Sequence, residues 1–152
     1  MDEDILQTNR PAAIWWHLMR TFALIARETD RTLAQWGLTG PQLGVLDCVV
    51  AAGGRLPMSQ IGERLLVTGP SITGVVDRLE RDGLVTRERP ADDRRVVLVC
   101  LTEAGRQTHA RACETLLARI TELMAFMQPE EHETLARQLE RIHLHLKEGL
   151  SL

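Results

Sequence analysis

Residues 57–105, PMSQIGERLLVTGPSITGVVDRLERDGLVTRERPADDRRVVLVCLTEAG, restrict the possible fold more than any other stretch. Between Pro70 and Asp82 the apolar residues Ile72, Val75, Val76 and Leu79 recur at i, i+3, i+4 and i+7, which places them on one side of a helix that faces a core. The other side carries Thr73, Gly74, Asp77 and Arg81, flanked by Ser71 and Arg78. These are small or hydrogen-bonding groups suited to base edges and phosphates. Gly83 suits the left-handed position just past a helix C-terminus. Two apolar-rich runs follow, Leu84–Arg89 and Val96–Leu101, separated by the polar segment PADDRR. They predict a hairpin with a charged tip. Helix, turn, exposed helix and hairpin in this order predict a winged helix-turn-helix, a module that reads double-stranded DNA.

The flanking residues extend this to a mainly α chain with a small β wing, in the order α1-α2-α3-α4-β-wing-β-α5-α6. The first helix is expected over residues 11–36, with Ile14, Leu18, Phe22, Ile25, Thr29, Leu33 and Trp36 as its stripe. Trp15, Trp16 and Met19 widen its apolar surface beyond what one small domain needs to cover, which points to a second contact surface. Gly37 ends this helix, and Thr39 caps a second one that runs to Ala52 with Leu43, Leu46, Val49 and Val50 inward. After a connector, Arg55 to Pro57, a third helix from Met58 to Leu66 packs Ile61, Leu65 and Leu66 beneath the exposed helix, which Thr68 caps. Thr102 caps a fifth helix over Glu103–Met127. Pro129 opens a sixth, whose Leu135, Leu139, Ile142 and Leu146 repeat at three and four. On a monomer these stripes would face water, so residues 11–36 and 103–148 are assigned to dimerisation and residues 39–101 to the DNA-binding lobe. The whole, residues 1–152, is one unit, and an obligate-type homodimer is expected.

A chain of 152 residues can bury about 68–70% of its unfolded surface without staples. No run of apolar residues is long enough to span a bilayer, and a soluble, cytoplasmic protein is expected. Cys48, Cys100 and Cys113 are odd in number and not closely paired, which predicts reduced core residues. The net charge of −3 is unevenly spread. Residues 1–54 carry 4 basic and 6 acidic groups, residues 55–102 carry 8 and 7, and residues 103–152 carry 6 and 8. DNA binding needs a local basic surface rather than a basic total, and Arg78, Arg81, Arg87, Arg89, Arg94 and Arg95 crowd into one short segment. Interleaved Asp77, Glu80, Asp82, Glu88, Asp92 and Asp93 leave a solvated face of internal ion pairs as the alternative.

At VDRLERDGLVTRERPADDRRVVLVCLTEAG the chain resembles the MarR family of bacterial transcription regulators, close to its SlyA-like branch. The paired DDRR and LTEAG motifs carry most of that resemblance, which spans roughly residues 14–148. It implies a triangular homodimer that binds a pseudo-palindromic operator, as a repressor, through an exposed helix in the major groove and a wing tip in the minor groove. By position, Ser71, Thr73, Gly74, Asp77 and Arg78 would line the major-groove face. Arg95, oriented by Asp93 and neighboured by Arg94, would enter the minor groove, where negative potential is concentrated. The resemblance also implies release by a small aromatic or phenolic ligand in a cleft walled by Trp16, His17, Arg20, Leu43 and Asp47. Ala23, Ala26 and Gly74 stand where SlyA-like relatives place arginines for an aromatic carboxylate. Leu66 stands at a turn position usually held by glycine, and Gly69 and Gly74 replace polar or basic residues. Pro57 occupies the usual N-cap of the third helix.

Thiol- or metal-responsive regulation on the same fold is one alternative, and a winged-helix module that binds only protein is another. No cysteine lies near the start of the first helix. His143 and His145 are two apart on a helix and diverge, so no metal site and no cofactor are predicted. No GxSxG, HExxH, P-loop or GxGxxG pattern occurs, which speaks against an enzyme.

Overall fold

The computed structural model describes residues 8–65, 69–91, 93 and 95–149. Its elements run α1 (Arg10–Leu33), a 3-10 turn (Ala34–Trp36), α2 (Gly40–Ala51), β1 (Arg55–Pro57), α3 (Met58–Leu65), α4 (Gly69–Arg81), β2 (Val85–Glu88), β3 (Leu98–Leu101), α5 (Glu103–Met124) and α6 (Pro129–Gly149). The expected helix order and wing are present. Leu66 and Thr68, expected in the turn before α4, lie outside the described residues, as does Arg94.

Local chemistry sets the boundaries. Asn9 Oδ1 accepts from the Ala12 N–H at 3.1 Å and starts α1. Gln42 Oε1 accepts from both the backbone N–H and the hydroxyl of Thr39 at 3.0 Å, and Asp30 at the far end of α1 accepts from the Gly40 N–H at 2.7 Å. These bonds satisfy otherwise orphaned donors at the start of α2. α4 closes with a Schellman pair, Gly83 N–H to Glu80 O at 3.0 Å and Leu84 N–H to Leu79 O at 2.9 Å. Gly83 has φ +72°, a conformation that costs glycine little.

Three expectations about boundaries are corrected. The connector Arg55 to Pro57 is a strand, and the sheet has the antiparallel order β1-β3-β2. Arg55 pairs with Cys100, Leu56 with Val99 and Pro57 with Leu98, so β1 covers what would otherwise be an open edge of β3. Three residues are too few to show alternation; Pro57 ends the strand and directly precedes Met58, the first residue of α3. The wing strands are shorter than the apolar runs, because Leu84 is held by the end of α4 and Val97 O accepts from the Met58 N–H at 2.9 Å. α5 stops at Met124 rather than Met127, where bonds from Ala125 to Glu122 and from Met127 to Met124 tighten the chain ahead of Pro129.

The core lies within the winged lobe and its junction with α1 and α5. Leu33, Leu38, Leu46, Ile61, Ile72, Val76, Leu79, Val85, Val99 and Ala112 are among its buried members. α2 is buried nearly all round, with Gln42 and Val45 inside as well as the expected Leu43, Leu46 and Val49, and Val50 is half-buried. A helix packed on more than one side buries residues beyond its apolar stripe. Cys100 is buried as expected, whereas Cys48 and Cys113 are only half-buried. Trp36 donates its indole N–H to Thr115 Oγ1 at 3.1 Å, and Arg119 reaches Glu28 at 2.7 Å and Glu122 at 2.7 Å. The Trp36–Thr115 and Arg119–Glu28 contacts hold α5 against the first 36 residues.

Two contacts fix the wing. Thr102 Oγ1 accepts from the Gly105 N–H at 2.9 Å and lies 2.8 Å from Gly83 O and 3.0 Å from Leu84 O, joining the α5 N-terminus to the end of α4. A Cβ at Gly105 would lie 2.0 Å from Leu84 O, so only glycine lets α5 settle there. Arg87 on β2 donates through Nη2 to Asp77 Oδ1 at 2.6 Å and through Nη1 to Glu80 Oε2, while its backbone N–H donates to Glu80 Oε1 at 3.1 Å. One guanidinium therefore clamps β2 to α4. Gly105→Ala is expected to destabilise the protein by about 3 kcal/mol, the upper end for overpacking, measured by urea unfolding. A value within error of wild type would refute the close approach. Arg87→Ala is expected to cost about 1 kcal/mol in the same assay, a modest figure because both partner carboxylates are partly exposed.

Candidate nucleic-acid interface

α4 presents the outward face expected of a reading helix. Ile72, Val76 and Leu79 are buried and Val75 is half-buried, while Ser71, Thr73, Gly74, Asp77, Arg78 and Arg81 are all exposed. A Cβ at Gly74 would meet no atom within 4 Å. Packing does not demand glycine there, and the backbone at that point stays open to close approach from outside.

The arginines divide into two sets. Arg87 is taken up by Asp77 and Glu80. Burial alone would lower its pKa, but the bonds to Asp77 and Glu80 outweigh this and raise it. Arg55 on β1 pairs with Glu88 on β2, and Arg81 sits 3.4 Å from Asp82. Arg78 and Arg89 are exposed and form no ion pair with a described residue. Arg95, with 94% of its side chain exposed, meets Asp93 Oδ1 at 3.4 Å through Nε, and the Arg95 backbone N–H donates to the same oxygen at 3.0 Å. Asp93 thus contacts Arg95, the pairing anticipated for the wing tip. Asp77, placed on the groove-facing side by the sequence, is also half of the clamp on the wing. The sequence did not reveal the partners Glu80 and Arg55, because each pairing spans a turn or a sheet.

The residues assigned to a ligand cleft lie on two helices, α1 and α2. Trp16, His17 and Arg20 lie on α1, and His17 and Arg20 are exposed. Leu43 is 5% exposed and belongs to the core. Asp47 instead pairs across to α5, its Oδ1 2.6 Å from His109 Nε2. No hydrogen bond or ion pair among the described residues joins these two α2 residues to the three on α1. Burial raises the pKa of Cys48, Cys100 and Cys113 above the ordinary thiol value, the opposite of an activated thiolate.

The chain matches the family model described as MarR family over residues 36–96, which takes in α2, β1, α3, α4 and β2 and stops short of β3. It is 29% identical over 141 residues to the HTH-type transcriptional regulator MhqR of Bacillus subtilis, covering 93% of this chain and 97% of that protein. It is 31% identical over 114 residues to the HTH-type transcriptional repressor MdtR of Bacillus subtilis, covering 75% of this chain and 73% of that one. Among solved structures it resembles the organohalide-sensing transcriptional regulator RdhR in its 2,4-dichlorophenol-bound form, with a TM-score of 0.84, 23% identity, and coverage of 90% of this chain and 81% of that one. The latter likeness shows the fold. These matches speak to the family as a whole and not to the SlyA-like branch within it. An outward reading helix, a wing held by Arg87 and these relatives together place the chain in the MarR family, as a DNA-binding transcriptional regulator.

Proposed function

We propose that the protein acts as a homodimeric repressor on a pseudo-palindromic operator and releases DNA when a small aromatic or phenolic ligand binds. The observation that carries the dimer is where apolar surface remains. Every exposed large hydrophobic side chain among the described residues lies on α1, at or just past the second half of α5, or on α6. Ile14, Phe22, Ile25, Leu117, Phe126 and Leu139 are examples, and the winged lobe has none. A second copy covering these faces removes from water a patch larger than monomeric proteins ordinarily expose. Residues 11–36 and 103–148 then serve as dimerisation helices and residues 39–101 as the reading lobe.

In this arrangement two copies of α4 enter successive major grooves about 34 Å apart, one helical turn of DNA. Ser71, Thr73, Gly74, Asp77, Arg78 and Arg81 form the face toward the bases, while Arg95, steadied by Asp93 and accompanied by Arg94, reaches into the minor groove. Because Arg87 and Arg55 are paired with carboxylates of the lobe itself, affinity rests on few cations, Arg78, Arg89 and Arg95 foremost. A repressor role follows the naming of MdtR, and an aromatic effector follows the dichlorophenol-bound relative. Trp16, His17 and Arg20 on α1 and Asp47 on α2 then border the ligand, with Leu43 buried in the core. A cytoplasmic location suits this activity, and no helix among the described residues is long and apolar enough to cross a membrane.

Leu139→Asp is expected to convert the dimer to monomer in sedimentation, since a charge would be buried in an apolar interface. A persistent dimer would move the interface elsewhere. Arg95→Ala is expected to weaken operator binding by about 1–3 kcal/mol, the scale of one good groove contact. Unchanged affinity in a gel-shift titration would remove the wing from the mechanism.

A further inference from the structure

At the joint between α2 and α5, three side chains converge outside the reading surface, Cys113 at the margin of the core. Asp47 leaves the outer side of α2, and His109 and Cys113, four apart on α5 and hence neighbours on one face, meet it. Asp47 Oδ1 lies 2.6 Å from His109 Nε2 and 3.8 Å from Cys113 Sγ. Cys113 Sγ lies 3.4 Å from the same Nε2. One ring nitrogen therefore faces both partners. A catalytic or redox relay would place thiol and carboxylate on opposite ring nitrogens, each orienting the imidazole for the other. Here the donors instead point at a common centre.

That convergence has the dimensions of a metal site. A tetrahedral centre with bonds of about 2.0–2.1 Å to nitrogen, 2.0–2.2 Å to oxygen and 2.3 Å to sulfur holds its sulfur about 3.6 Å from each of the other donors. The observed 3.4 Å and 3.8 Å bracket that spacing. Only the nitrogen–oxygen distance is short, as a hydrogen bond in the metal-free arrangement must be. The Asp47 side chain is 54% exposed and free to rotate by the fraction of an ångström required. Sulfur, imidazole and carboxylate donors together select borderline-soft ions over calcium or magnesium. Three protein donors leave a fourth position for water or an exogenous ligand.

We propose that Asp47, His109 and Cys113 form a three-donor site for a zinc-class divalent cation that ties the reading lobe to the long helix α5. The sequence does not signal it, because the α2 donor is 62 and 66 residues from the two on α5. The site rests on side-chain geometry alone and does not depend on the effector reading. A bound ion replaces one short hydrogen bond and two longer sulfur contacts with three metal–ligand bonds and so sets the angle at which α2, and with it the lobe, leaves α5.

The test is a titration of the full-length, reduced, metal-stripped protein with Co2+ alone, followed by Zn2+. One equivalent per chain is expected, with a sulfur-to-cobalt charge-transfer absorption that Zn2+ bleaches. Cys113→Ser removes that absorption, while Cys48→Ser and Cys100→Ser leave it in place. His109→Gln and Asp47→Asn each weaken Co2+ binding by at least about tenfold, a loss that even outer-shell changes to metal sites produce. The proposal is overturned by absence of the thiolate band or its persistence in Cys113→Ser. Binding that all three substitutions leave unchanged, the mark of scattered surface histidines, also overturns it. X-ray absorption of the zinc-loaded wild-type protein requires no variant. One sulfur in the zinc shell supports the site, and none refutes it.

Discussion

The contact on which the architecture most depends is the seating of the first turn of α5 on the Gly83–Leu84 backbone. Thr102 caps α5 and bonds back to the carbonyls that end α4, and the missing side chain at Gly105 lets the helix approach Leu84 O. Three elements are set at that point. α4 must stop in a Schellman turn, β2 must leave it at a fixed angle, and α5 must start where it can pack against α1 and α2. The DG pair at 82–83 and the TEAG run at 102–105 are two halves of one joint, which is why they accompany each other in a chain of this shape.

From this joint the molecule separates into regions with different physical needs. The lobe holds the core, and among its described residues no large hydrophobic side chain is exposed. The long helices are amphipathic but lack a partner for much of their apolar faces, and α6 contributes no buried residue. Charge is divided in a similar way. Some of the arginines crowded near the wing stabilise the lobe, most clearly Arg87 between Asp77 and Glu80, and others project from it. A count of basic residues therefore overstates the charge available to a polyanion, because a guanidinium already neutralised by two carboxylates releases no counterion on binding.

The sequence was most informative where periodicity and stereochemistry act locally. The apolar spacing of α4, the caps at Thr39 and Thr102 and the turn at Gly83 all emerged as read, since each depends on residues a few positions apart. It was less informative where an element is defined by distant neighbours. β1 is too short to show a pattern and exists because β3 needs an edge partner. α2 buries Gln42 and Val45 beyond its apolar stripe, because neighbours pack on more than one of its sides. Leu43 is apolar in sequence whether it walls a cleft or fills a core, and only packing assigns it to the core.

The sequence by itself determined the helix order, the wing, the outward face of Ser71 to Arg81 and the family, because hydrophobic periodicity, capping residues and a paired motif are properties of contiguous chain. Tertiary structure alone decided which arginines remain free, that Asp77 serves the wing clamp, and that Asp47, His109 and Cys113 share one centre. Those outcomes depend on distances between side chains from separate elements, and spacing along the chain does not encode such distances until the core has fixed how the helices cross.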